Sequence, residues 1–457
     1  RTIVRALSSD FGRTWGTISR LEDVSESVFP RVSCVERGDE HVCGATWVVN
    51  PETSSSKIYE ARSLDGGDTW RVKKISTDAE APFGNPDIAC VAPDTDANGA
   101  LIENVFSCLI VFDADKDMYG KDDAIILAQA DSYDDNVETT QVLASPSLTG
   151  TKGIDPAIDC NRAGKICYVS YDGVDDDARR ILVDNDAYQD PDDAAGRTDD
   201  PDQTIHIIKG ITDKDPYFQW SSVYKLGHSE KTIDESSSGL VRLVARPSLR
   251  ILSDDDAVVV FQARVHDGRE EWIEASRTSN GGTSWAQPQT VFDIASTSKG
   301  AEGASLWCYS ETSCVAVFEV DKSSTNGPMS IHTTDKGNTW SEAREFLNLP
   351  ERLGSSTFDI YEDVVVTCIE DSADCIANFE GRSIFPQLEE EPETIMFTFA
   401  NFGDGPPAVQ PTPLPTPLPT KGPTKAPTKA PTTIAPSTPA PTTPEPTTPE
   451  PTTPEPT

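Results

Sequence analysis

Two groups of residues in this chain have the type and spacing to do chemistry. Arg246, Arg250, Arg264 and Arg269 lie close together in sequence. In a strongly acidic protein such a group can hold a carboxylate or sulfate through charge-assisted, bidentate hydrogen bonds. Asp113, Asp115 and Asp117 place a carboxylate on every second residue, and the stretch from Asp172 to Asp202 holds 12 aspartates in 31 residues. Hard oxygen donors at that density suit Ca2+. The pattern departs from the helical-hand calcium loop, with Met118 where that loop needs Gly and Ala124 where it needs Glu. Arginine–aspartate pairing and solvated acidic loops are the plain alternatives. No motif requires a cofactor, and Ca2+ is the one ion suggested.

The elements that must position these groups are legible as repeats. Ser8-Ser-Asp10-Phe-Gly12-Arg-Thr14-Trp15 is echoed by Ser63-Leu-Asp65-Gly-Gly67-Asp-Thr69-Trp70, Thr278-Ser-Asn280-Gly-Gly282-Thr-Ser284-Trp285 and Thr333-Thr-Asp335-Lys-Gly337-Asn-Thr339-Trp340. Weaker echoes sit at Asp131 to Val137 and from Thr212 to Trp220. In each copy the carboxylate and hydroxyl can bond turn amides, the Gly supplies a positive φ and the Trp packs on the sheet, as a tight hairpin turn requires. These residues are read as scaffold.

A second repeat alternates with the first. It runs Pro30-Arg-Val32-Ser-Cys34, Pro86-Asp-Ile88-Ala-Cys90, Pro156-Ala-Ile158-Asp-Cys160, Pro247-Ser-Leu249-Arg-Ile251, Ala304-Ser-Leu306-Trp-Cys308 and Val364-Val-Val366-Thr-Cys368. Each copy is followed by a turn and an apolar run, which makes an A–B hairpin. The ten cysteines fall in close pairs, Cys34 with Cys43, Cys90 with Cys108, Cys160 with Cys167, Cys308 with Cys314 and Cys368 with Cys375. None forms a C-x-x-C and no His sits at ligand spacing, so cross-strand disulfides are favoured over zinc. Disulfides persist in oxidising compartments, which points outside the cytosol.

The fold class expected is all-β: a six-bladed β-propeller of four-stranded antiparallel blades, the last blade closed by pairing the two ends of the chain. Residues 1–405 form this propeller in the expected division. Residues 406–457 carry 19 of the 35 prolines and read as a disordered Pro/Thr-rich stalk or linker. The run Ile395–Ala400 has no place in six blades and is a candidate C strand of a seventh. In that tail three Lys balance three Glu, so the formal charge of −38 belongs to the folded part. Such a surface repels nucleic acid and anionic membranes. No apolar run approaches the ~20 residues that span a bilayer. The chain opens without Met on Thr2-Ile3-Val4, and an upstream segment is expected to have preceded it.

In antiparallel blades the A–B turns and the repeat turns share one face. The opposite face collects the irregular insertions and the entry residues Arg31, Asp87, Asp155, Arg246, Glu302 and Asp363, and variable loops on a rigid scaffold are where binding usually sits. Arg31, Asp87, Arg246, Arg264 and Arg269 are therefore the candidate ligand-binding residues, and Asp113, Asp115 and Asp117 the candidate metal ligands.

By its repeat turns and hairpin rhythm, the region up to about residue 400 resembles the sialidase-like Asp-box propellers. The resemblance implies either an exo-sialidase or a non-catalytic surface module. The family's enzymes clamp a substrate carboxylate with three arginines and use a Tyr–Glu nucleophile with an Asp acid. Arg264 matches the arginine that follows strand B of the middle blade. Elsewhere the pattern departs: Arg246 stands where the Glu should be, Phe29-Pro30-Arg31-Val32 reorders the first arginine motif, and Glu52 is the one acid between Asn50 and Lys57. Tyr361 lacks the Ser that commonly follows the family's Tyr, and the fifth blade offers no third arginine. The expected function is a secreted or cell-surface, monomeric binding module for a glycan, an acidic ligand, a cation or an extracellular protein, without catalysis. An exo-sialidase-like glycoside hydrolase and a structural acidic wall or matrix protein are the alternatives.

Overall fold

The computed structural model describes residues 2–10, 14–21, 26–37, 40–50, 56–75, 83–91, 108–114, 124–130, 137–145, 151–161, 164–175, 204–211, 219–229, 242–265, 271–293, 300–320, 327–345, 358–369, 372–383 and 394–402. The chain divides into a unit spanning Arg1–Thr412 and a second spanning Pro413–Thr457. All described residues belong to the first, and the expected 406–457 stalk lies outside them. Every described element is a strand.

Long apolar runs form the middle strands because neighbours cover both of their faces. Cys108–Ala114, for example, is buried at every position. The first blade comprises β3 (Ser27–Arg37), β4 (Glu40–Val49), β5 (Lys57–Ser63) and β6 (Arg71–Lys74). The second comprises β7 (Phe83–Cys90), β8 (Cys108–Ala114), β9 (Ala124–Ala130) and β10 (Val137–Ala144). In the third, β11 (Thr151–Cys160), β12 (Ile166–Asp175) and β13 (Thr204–Ile211) are followed by two short strands, β14 (Gln219–Trp220) and β15 (Tyr224–Lys225), that both pair with β13. The fourth is β16 (Arg242–Ile251), β17 (Ala257–Val265), β18 (Glu271–Thr278) and β19 (Gln289–Asp293). The fifth is β20 (Ala301–Cys308), β21 (Cys314–Val320), β22 (Gly327–Thr333) and β23 (Arg344–Glu345).

The sixth sector corrects the expectation of six four-stranded blades: five are complete. Its sheet has three strands, β24 (Phe358–Cys368), β25 (Asp374–Ser383) and β26 (Thr394–Asn401). The N-terminal hairpin, β1 (Val4–Arg5) with β2 (Ser19–Arg20), forms a separate two-stranded sheet. The reason is physical. The edge of β25 that the hairpin needed is occupied by β26 over its whole length, from Gly381↔Thr394 to Asp374↔Asn401. The run Ile395–Ala400 thus serves the sixth sector and not a seventh. The hairpin instead packs Ile3 and Leu21 against the first blade, and Arg5 donates to the carbonyls of Gly67 and Asp68.

All five expected disulfides are present, each joining directly opposed residues of an A–B pair. The fourth blade uses Ile251 opposite Ala257 at this position. Successive A strands are strapped together by side chains that bond the next strand's backbone. Ser33 Oγ accepts from Cys90 N (3.0 Å), Asp87 Oδ2 from Ile158 N (2.9 Å), Asp159 Oδ2 from Ile251 N (2.7 Å), Ser248 Oγ from Leu306 N (3.0 Å) and Ser305 Oγ from Val366 N (3.2 Å). The apolar residue between them faces the preceding blade. Ile88, Ile158, Leu249, Leu306 and Val366 are no more than 5% exposed, whereas Val32, at the same place in the first A strand, is 66% exposed.

The repeat turns share one hydrogen-bond pattern. Asp65 Oδ1 accepts from Thr69 N (2.8 Å) and Oδ2 from Thr69 Oγ1 (2.6 Å), while Gly67 N bonds Ser63 Oγ (2.7 Å). Asp10 and Asp335 make the same pair of bonds to Thr14 and Thr339. Bonding from Thr69 holds the Asp65 carboxyl down at about 2. At Asp335, burial pushes upward but the bonds from Thr339 and Thr333 outweigh it, again giving about 2. A depressed carboxyl stabilises the fold above its unfolded value, and that contribution is lost as pH falls through the folded one. Acid melting of the wild type should therefore run from about pH 4 toward pH 2. In a urea titration across that range, Asp65→Asn and Asp335→Asn should flatten the slope. Asn280 already makes the equivalent bonds to Ser284 uncharged, so Asn280→Asp should steepen it.

Candidate functional site

Opposite the disulfide end, each A strand is kinked by a bulge. Register shifts fall between Val28 and Arg31, Gly84 and Asp87, Ile154 and Ala157, Ala245 and Ser248, and Glu302 and Ser305. The residue before the motif's first position takes a left-handed φ: Phe29 at 53°, Asn85 at 41°, Asp155 at 50°, Arg246 at 50° and Gly303 at 60°. Four of these five are not glycine, a conformation that costs ~1–2 kcal/mol per residue. The proline that follows in four blades suits a bulge because it has no N–H to leave unpaired. Bulges re-aim side chains and concentrate beside functional sites.

The B strands end at the same level. Asp113 is buried, and its Oδ2 accepts from Asn85 Nδ2 (3.1 Å) and from the backbone N of Asp155 (3.1 Å). It ties two neighbouring bulges together. Asp172 holds the matching position in the third blade. Its side chain is 3% exposed, and no described group hydrogen-bonds its Oδ1. Burial, reinforced by the charge of Asp155, pushes its carboxyl well above the ordinary range, and Arg264 pulls it back. A carboxyl shifted this way gains the protonated form, which can donate one hydrogen bond and accept others. Arg264, exposed at the end of β17, adds a cation.

The predicted ligand residues are only partly brought together. Arg246, on its bulge, and Arg264 share the entry end of the fourth blade. Asp87 is spent on the strap to Ile158. Arg31 is half-buried and donates to the carbonyl of Pro30. Arg250 leaves the arginine group altogether: it pairs with Asp159 and stacks on Trp307. Arg269, Asp115 and Asp117 lie outside the described residues. Among the described residues no group of three or more His, Cys, Asp and Glu is placed to hold a metal ion. Sequence reasoning did not single out Asp172 from its acidic stretch. The available signal was the apolar B strand that ends in an acid, Cys167 to Asp172 beside Cys108 to Asp113 and Cys314 to Glu319.

Antiparallel blades around strapped A strands, with repeated hydrogen-bonded turns at one end and bulges at the other, define a β-propeller. The chain is similar to a protein of unknown function from Dyadobacter fermentans at 11% identity, covering 82% of this chain and 94% of that one, with a TM-score of 0.49. It is similar to the Trypanosoma rangeli sialidase solved with sialic acid at 10% identity, covering 84% and 55%, with a TM-score of 0.43. For the Penicillium chrysogenum α-L-arabinanase complexed with arabinobiose the identity is 14%, the coverage 88% and 97%, and the TM-score 0.42. No family model and no curated protein matches the chain. Among the described residues no helix is long and apolar enough to cross a membrane.

Proposed function

We propose that this protein is an extracellular carbohydrate-recognition propeller that binds a glycan on its bulged face, around Asp155, Asp172, Arg246 and Arg264. The observation that carries the reading is Asp172. A buried polar atom without a partner is costly in a finished core, and one placed beside a charged pair at the irregular end is an unfilled hydrogen-bonding position. Sugars supply dense hydroxyls for such a position. The five disulfides support an oxidising, extracellular setting.

Glycan-array binding of the wild type should weaken at least ~10-fold in Arg264→Ala and in Asp155→Asn, about the effect of one lost charge-assisted contact. Absence of any glycan ligand, or affinity unchanged in both variants, would refute the reading. A second reading, glycoside hydrolysis, is favoured by one feature: burial and a neighbouring carboxylate raise the Asp172 carboxyl, the direction a general acid requires. Turnover of a fluorogenic sialoside that disappears in Arg264→Ala would establish it.

A further inference from the structure

Away from the bulged face, near the disulfide ends of the A strands, three side chains from consecutive blades meet. Asp159 projects from β11, Arg250 from β16 and Trp307 from β20. Arg250 Nη1 lies 3.5 Å from Asp159 Oδ1. Its guanidinium carbon sits 4.6 Å from the centre of the Trp307 ring. The other oxygen of Asp159 accepts from Ile251 N at 2.7 Å. We propose that Asp159, Arg250 and Trp307 form an acid-released clasp that couples the third, fourth and fifth blades. The proposal does not depend on the glycan reading.

Among the described residues, Arg250, Asp87 and Tyr168 are the titratable or charged groups that bear on Asp159. Burial, opposed by Arg250 and reinforced by Asp87 from β7, brings its carboxyl up to about 6. Tyr168, its register partner on β12, titrates at about 12 because it too is buried, with Asp255 adding to the shift, and so stays neutral in this window. With 20% of its side-chain surface exposed, Asp159 can exchange protons with solvent. Above pH 6 the carboxylate holds Arg250. Below it the neutral acid keeps the bond from Ile251 but loses the ionic hold, and among the described groups Arg250 retains the Leu249 carbonyl and the indole.

The sign of the linkage separates release from unfolding. A carboxyl raised in the folded state contributes stability that is fully present below its unfolded value and is lost as pH rises through the folded one. Protonating Asp159 therefore favours the folded chain while freeing Arg250. A structural ion pair whose carboxyl is depressed would do the opposite, so the clasp can open in mild acid with the blades intact. The coupled blades carry Asp155, Asp172, Arg246 and Arg264, whose relative positions the clasp helps fix.

The test uses the intact protein and no ligand. Tryptophan fluorescence is followed from pH 4.5 to 7.5, and the contribution of Trp307 is isolated by subtracting Trp307→Phe. A transition centred near pH 6 is expected in the wild type. It should vanish in Asp159→Asn and in Arg250→Gln, which removes the group that links the carboxyl to the indole, and persist in Asp172→Asn. No transition between pH 5 and 7, one that survives in Asp159→Asn, or one that disappears in Asp172→Asn would overturn the proposal. If Asp159→Asn does not fold, carbon-13 titration of the wild-type carboxyls against those of Arg250→Gln should show the Asp159 midpoint move upward by at least half a pH unit. An unmoved midpoint there also overturns it.

Discussion

Leu306→Ala is expected to destabilise the propeller by ~2–5 kcal/mol, the range for a leucine lost from a close-packed core. Val32→Ala, at the same place in the A-strand motif, is expected to cost no more than about 0.5 kcal/mol. Both residues follow the entry position by two, where the other A strands bury an apolar side chain against the preceding blade. Leu306 meets one: it is fully buried with Val258, Val260 and Ile273 of the fourth blade. Val32 has no such cover and keeps 66% of its surface exposed. Truncating Leu306 leaves a cavity that its strapped neighbours cannot close. Truncating Val32 removes a methyl pair already in water. Urea denaturation of the two variants beside wild type measures the contrast. A cost for Val32→Ala equal to that of Leu306→Ala would mean that a further blade seals the seam, contrary to the five complete blades described.

The two repeats in the sequence carried the hairpins, the disulfide pairing and the placing of the repeat turns at the disulfide end, because each of those is a local consequence of residue type and spacing. Cys90 and Cys108 had to face one another once Pro86–Cys90 and Cys108–Phe112 formed one hairpin, and they do. The blade count was not local. It depended on whether β1 or β26 would take the free edge of β25, and two strand-like segments with similar apolar content compete there without any turn to decide the outcome. The candidate site divided along the same line. Arg246 and Arg264 were found from composition, and their shared position follows from the hairpin that joins their strands. Asp172 looked like one more member of an acidic stretch, although the strand that precedes it carries it into the protein. Arg250 looked like a member of the arginine group, but its side chain reaches Asp159 of another blade, a contact that sequence spacing within one blade cannot reveal.

The second large effect concerns Glu274, whose carboxyl group lies at a buried junction of the fourth blade. It is 0% exposed. Trp272 Nε1 donates to Oε1 at 2.7 Å, Ser229 Oγ donates to the same oxygen, and Ser229 N reaches Oε2 at 3.3 Å. Thr290 Oγ1 extends the network to Ser229 Oγ at 3.2 Å. One side chain thus serves donors from its own strand and from the segment that leads into the blade. Glu274→Ala removes that acceptor while its donors stay buried, and each stranded donor costs ~1–3 kcal/mol. Such losses are not additive within one network, so a total of about 3–5 kcal/mol is expected. Glu274→Gln keeps the volume and one acceptor oxygen but turns an amide toward a donor, and should fall between wild type and Glu274→Ala. A single mutation to alanine at Ser229 should show only part of the loss, since Trp272 keeps its partner. Measured urea midpoints in the order wild type, Ser229→Ala, Glu274→Gln, Glu274→Ala would support a hub. A Glu274→Ala midpoint equal to wild type would mean that water replaces the carboxyl and that Glu274 is no hub.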